Sequence, residues 1–296
     1  MMACASGVRS LGWHRHFGTE AFTLMPPLAF AHPPIVELAL GAQFSPLTNL
    51  TSAHLGLFWQ SLGEEWSEPS DGPLLQDQFE SFGSPRWAAS PGLQLRFGAP
   101  PYPGRLIVGH RDKNRLLQVQ QTRFHLNWRR VEGFYPSYTN LIAEFEQAFQ
   151  QFVRFVGDAK LGEVLLNQWE LTYVDSFPKG AGWQSPADWR NILPGLFSSP
   201  LPTDGLGVVL ELDHRAAEWS YEIFPKRGRL HIAANYGPRD GSENDSLLLT
   251  LTARGPLASS DAASLRAGLD LGHEAALGAF LKATSANEQK RWGPLK

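Results

Sequence analysis

The chain has 296 residues, of which 43% are apolar, 11% aromatic and 19% charged, a composition that can bury a core and that excludes disorder. With 26 basic against 29 acidic residues and a formal charge of -3, there is no bulk electrostatic case for a nucleic-acid or anionic-membrane binder. The single cysteine, Cys4, excludes an internal disulfide and a cysteine-based metal site, and no apolar run approaches the roughly 18 residues that cross a bilayer.

Residues 1–30 are expected to form a leader outside the fold. Arg9, His14, Arg15 and His16 interrupt any apolar core there, so no secretory signal is read and a cytoplasmic location is expected. Met25, just before a Pro-rich stretch, is an alternative start. From Ile35 to Phe44 the pattern alternates, with Val36, Leu38, Leu40 and Phe44 on one side and Glu37 and Gln43 on the other, as in a half-buried strand. Thr51 or Ser52 then caps an expected helix bearing Leu55, Phe58, Trp59, Leu62 and Trp66, ended by Pro69 and Gly72. Four short strands are expected at 93–97, 106–110, 116–120 and 124–129, with a turn or bulge at Gln121-Thr122-Arg123 where the apolar parity flips. Tyr138, Leu141, Ile142, Phe145, Phe149, Phe152, Val153 and Val156 recur at three- and four-residue steps, the spacing of an amphipathic helix.

After Gly157 and Gly162 the order restarts. A strand over 165–177 carries Trp169, Leu171, Tyr173 and Phe177 on one face, and Pro186 opens a short helix over 188–196. Strands follow at 208–212, 219–224, 230–234 and 247–254, then a helix opening near Asp261 with Leu265, Leu269, Ala276, Leu277, Phe280 and Leu281. Both halves read strand, helix, four strands, helix. Glu37 to Phe44 aligns without gaps on Glu170 to Phe177, and Phe145 to Val153 on His273 to Leu281. The expected fold is α+β: an internally duplicated unit over 31–158 and 159–296, with a curved antiparallel sheet and helices packed on one face.

That order of elements resembles the duplicated fold of the TATA-binding protein, and each half alone resembles the helix-grip ligand carriers, a likeness that carries no function by itself. At the level of residues the chain resembles a sporadically distributed bacterial family of uncharacterised proteins. The resemblance rests on Pro33-Pro-Ile-Val-Glu37, Leu117-Gln-Val-Gln120, Arg123-Phe124, Asn127-Trp-Arg129, Tyr135-Pro-Ser-Tyr138, Trp169-Glu-Leu-Thr-Tyr173, His273-Glu274 and Trp292-Gly293. It spans most of residues 33–293 and implies no activity or cofactor; its patchy distribution implies an accessory gene.

No nucleophile-elbow, Walker, dinucleotide or zinc-protease pattern occurs, and Gly205-Leu-Gly207 lacks the third glycine and the helix of a phosphate loop. No cofactor or metal is expected. The candidates lie on the polar side of the sheet. On the strand that begins near Phe124, the apolar side is Phe124, Leu126 and Trp128, which leaves Arg123, His125, Asn127 and Arg129 as a row of donors suited to an anionic or nucleotide-like ligand. The plainer alternative is a solvated face of cross-strand pairs. Arg123 and Arg129 stand about 20 Å apart along an extended strand, too far to clamp one small anion, so the expected partner is a protein or an elongated polar ligand. Glu37 and Glu170 are equivalent in the two halves. They would approach across a pseudo-dyad and raise one pKa, unless each pairs with a neighbouring arginine. His273 stands where the first half has Phe145, as a hydrogen-bonded core residue or as a general base. The functional expectation is a non-catalytic ligand- or protein-binding module. Its alternatives are a hydrolase- or lyase-like enzyme using Glu37, Glu170 or His273, and a nucleic-acid binder on the sheet face, which the glutamates disfavour.

Overall fold

A computed structural model of the chain describes residues 30–83, 104–131, 133–202, 206, 208–238 and 245–295; the expected leader apart from Phe30, the strand at 93–97 and both Gly205 and Gly207 lie outside them. The first half contains β1 (Ile35–Phe44), α1 (Ser52–Ser61), β2 (Trp66–Gly72), β3 (Arg105–His110), β4 (Arg115–Gln120), β5 (Arg123–Arg129) and α2 (Tyr138–Asp158). The second contains β6 (Leu166–Pro178), α3 (Trp189–Ile192), β7 (Ala216–Ile223), β8 (Gly228–Pro238), β9 (Asp245–Pro256), α4 (Ala262–Ala283) and α5 (Ala286–Arg291). All nine strands join one antiparallel sheet in the order β2-β3-β4-β5-β1-β6-β9-β8-β7. The fold is therefore α+β, with the long helices on one face.

Side-chain shape explains how those helices dock. Ser137 accepts from the Asn140 amide at the start of α2, whose Phe145, Phe149 and Phe152 close on Phe124 of β5 with ring centroids 6.0, 5.4 and 5.4 Å away. Asp261 caps α4 through the Ser264 amide at 2.7 Å. This helix sits directly on Trp169: a Cβ at Gly268 would stand 2.2 Å from the indole Cδ1, so only glycine permits the approach. The two helices also touch each other, Tyr138 donating to Asp270 at 2.8 Å and Arg266 to Glu146 at 3.1 Å.

The halves meet where β1 pairs with β6. The gap-free alignment that places Glu37 on Glu170 also places Ala39 on Thr172, and those two residues are register partners, as they would be on a local two-fold axis. Outward from that pair, Glu37 lies opposite Arg129 on β5 and Glu170 opposite Arg254 on β9.

Two expectations need correcting. The helix carrying Leu55 and Phe58 stops at Ser61, and Trp66 opens β2 instead of lying on that helix. Pro69 is tolerated inside β2 because this strand is an edge of the sheet, where a missing amide costs no ladder bond on the open side. Residues 208–212 form no strand; Val209 is 90% exposed and β7 is already the far edge, so the second half supplies three strands after its short helix. The turn expected at the parity flip is present: a two-residue hairpin loop, Gln121-Thr122, closed by the Gln120–Arg123 pair. Among the described residues no helix is long and apolar enough to cross a membrane.

Candidate functional site

The polar row of β5 does not face solvent. Arg123, His125 and Asn127 are only 3, 5 and 4% exposed, and Arg129 alone is open. The segment that leaves β2 after Gly72 crosses the polar face from β4 to β8 and is held by Arg123, while His125 is engaged by Glu170 and Asn127 by Gln118 and Glu37. The Gln120 amide holds both the N–H and the C=O of Leu75 at 2.9 Å, and Arg123 Nη2 donates to the Gln76 carbonyl at 2.6 Å. Gln43 of β1 accepts from the Gln78 amide at 2.9 Å, while Gln168 of β6 donates to the Gln78 carbonyl and accepts from Glu80. Three strand glutamines thus satisfy the crossing backbone much as a neighbouring strand would.

The crossing ends on Glu80, whose carboxylate meets Arg229 at 2.9 Å and His231 and Arg254 at 2.7 Å. Burial works to raise the Glu80 pKa, but hydrogen bonds and charge from His231 and Arg254 hold it down to about 2. Beside it, Glu170 lies 3.2 Å from Arg254 and 3.6 Å from both Arg123 and His125. Burial again opposes ionisation there, and His125, Arg123 and Arg254 overcome it, lowering the pKa to about 2. The His125 ring spans two strands to reach Glu170 by lying over Gly41, where a Cβ would come within 2.1 Å of its Cδ2.

Glu37 and Glu170 do not approach each other. In the register of β1 against β6 the residue facing Glu37 is Val174, four positions and about 13 Å along the strand from Glu170. Glu37 instead accepts from Asn127 Nδ2 at 2.5 Å and pairs with Arg129 at 3.4 Å. The raised carboxyl expected of a close pair is not found at Glu170, whose pKa moves in the opposite direction.

On the helix face, a cavity of about 340 Å³ opens at the joint between the halves, where the Pro33-Pro34 lead-in, the start of α2, the middle of α4 and the floor of β6 converge. His273 lies in its wall. Its ring stacks on Tyr138 at 3.9 Å and 7°, and its Nδ1 shares a 2.8 Å hydrogen bond with the Tyr173 hydroxyl, which lies 3.5 Å from that of Tyr135. Burial, against the pull of Asp270, pushes the histidine down to about 4, so it is neutral at pH 7. Burial also raises Tyr135, Tyr138 and Tyr173 above the usual phenol range.

At the same end lies Asp175, 4% exposed, whose carboxyl burial pushes up to about 8 against the opposing charge of Arg130. Sequence reasoning reached His273 but not Asp175 or the three tyrosines. The available signal was parity: Trp169, Leu171, Tyr173, Asp175 and Phe177 occupy one side of one strand, and an acid on an apolar side needs a reason.

No family model matches the chain, and no curated protein matches it. Among solved structures the chain is similar to DynU16, a protein of the dynemicin biosynthetic locus, at 12% identity and a TM-score of 0.25, over 88% of this chain and 99% of that one. A likeness that weak supports neither a fold nor a function.

Proposed function

We propose that the protein is a non-catalytic binding module whose ligand sits in the cavity on the helix face, and that the charged row on the other face is scaffold. The observation that carries this reading is the cavity itself: preformed, walled mainly by apolar and aromatic side chains, with a few polar groups gathered at one end. An elongated ligand along Arg123, His125 and Asn127 would first have to displace the chain's own crossing segment. A binder is favoured over an enzyme because Glu37 and Glu170 are each tied to an arginine, and His273 is on the opposite face from both, engaged with Tyr173. Internal duplication accounts for the placement, since the cavity lies at the seam of two halves that repeat the same glutamate–arginine strand pair.

The test is saturation-transfer NMR with 3-phenylpropanol, a probe that fits the volume. Transfer to the probe is expected from the unaltered protein and from Arg129→Ala. It should vanish in Leu277→Trp, which fills the cavity from a partly exposed wall position. Equal transfer from Leu277→Trp would overturn the site.

A further inference from the structure

One group in this cavity, the Asp175 carboxyl, has no hydrogen-bond or ion-pair partner among the described residues. Among the described residues nothing donates a hydrogen bond to the Asp175 carboxyl or forms an ion pair with it, although it lines the cavity and is 96% buried by the complement of its 4% exposure. Its polar neighbours are matched: Tyr138 donates to Asp270, and Tyr135, Tyr173 and His273 form a chain. Buried polar groups in native proteins are nearly always satisfied, and an orphan beside a cavity points to what enters it.

The walls narrow the chemistry. Pro33 and Pro34 have no N–H to offer. With His273 neutral, the donor order Tyr135 to Tyr173 to Nδ1 satisfies all three groups and consumes both hydroxyl protons. An incoming group therefore meets the carboxyl of Asp175, the tyrosine oxygens, the Nε2–H that this order leaves on His273, and Ser137 and Thr139, together with the rings of Phe30, Tyr138 and Phe280. Acceptors and aromatic faces together suit a cation that carries only donors. No lysine or arginine is among the described lining residues, so an anionic ligand would find no counter-charge there.

Resting on the reading that this cavity is the ligand site, we propose that it takes a hydrophobic primary amine, with the ammonium on Asp175 and the apolar tail along Leu277 and Phe280. The groups facing Asp175 permit this. Tyr173 on its own strand, Tyr135 and Tyr138 at the start of α2, and His273 on α4 are all uncharged at pH 7. Asp270 and Arg266 lie behind Tyr138 and pair with each other at 2.9 Å. Arg130, the one cation acting on Asp175, is directed to the Pro33 carbonyl at 3.0 Å and over the Trp128 ring at 5.9 Å. Before binding, Asp175 holds a proton; the arriving ammonium displaces it to solvent, and the cavity gains a neutral ion pair and no net charge.

Isothermal titration of the full chain at pH 7 with 3-phenylpropylamine, 3-phenylpropanol and 3-phenylpropanoate tests this. The amine should bind about tenfold more tightly than the alcohol and release close to one proton, read from buffers of different ionisation enthalpy, while the carboxylate gives no saturable heat. Asp175→Asn should remove both the preference and the proton release, leaving the alcohol within about twofold of its original affinity. Equal or tighter binding of the alcohol, or a preference that survives Asp175→Asn, would overturn the amine assignment and leave the cavity as the site. Saturable binding by none of the three would overturn both.

Discussion

On one face of the sheet Arg123 and His125 are as buried as core residues, yet both reach Glu170; on the other, Asp175 is buried to the same degree and has no hydrogen bond or ion pair among the described residues. The difference lies in what covers each face. A crossing backbone brings its own donors and acceptors, so Gln43, Gln120 and Gln168 can be satisfied within the chain. Helices bring side chains, and where the rings of Tyr138 and Phe280 fail to fill the seam a void remains beside a carboxyl. A dense cluster of charge is thus a poor guide to a site when its carboxylates are all paired, even though one buried nitrogen, Arg123 Nε, lacks an acceptor. A single unmatched group is a better one.

The comparison can be broken most severely at Trp169, which is 1% exposed and fixes α4 over the sheet. Trp169→Ala should cost about 3–5 kcal/mol in urea unfolding, and an unchanged midpoint would show that the helix face does not rest on it.

Next comes the anchor of the crossing segment. Glu80→Gln removes the carboxylate of Arg229 and one of the two on Arg254, and should cost about 3 kcal/mol at neutral pH. Because the folded Glu80 pKa is depressed, this contribution is complete above the unfolded value near 4.5 and fades as pH falls towards 2. A variant destabilised equally at pH 7 and pH 2 would contradict the assignment.

Asp175→Asn sharpens the contrast by having the opposite sign. A carboxyl raised to about 8 binds a proton in the fold where the unfolded chain has lost it, so its cost begins near pH 3.8 and grows up to about pH 8. The amide should therefore stabilise the protein at pH 7 by on the order of 2 kcal/mol, with no gain below pH 3.8, in denaturation curves across that range. A destabilised variant would mean the carboxyl has a partner. The smallest effect is expected at Arg129→Ala, whose ion pair with Glu37 is partly solvated and should be worth less than about 1 kcal/mol in the same assay.

Periodicity carried much of the architecture: the eight-residue apolar ladder of α2 and the alternation in β1 and β6 place both long helices and the central strand pair. Trp66 misled because Pro69 and Gly72 read as a helix stop, when a proline is equally at home in an edge strand. The crossing segment left no periodic trace, being extended and bound through its backbone. Its only signature was three glutamines, Gln43, Gln120 and Gln168, on the polar parity of three strands. Of the site, His273 was legible as a histidine in place of a core phenylalanine. Its neighbours Tyr135 and Tyr138 come from a segment whose contact with β6 depends on the tertiary fold.

Amide hydrogen exchange in the presence and absence of 3-phenylpropylamine compares the two faces in one measurement. The account predicts added protection in peptides covering 135–142, 173–175 and 270–280, with residues 75–81 unchanged. Protection or release concentrated in 75–81, with the cavity peptides unaffected, would place the ligand on the polar face and contradict it.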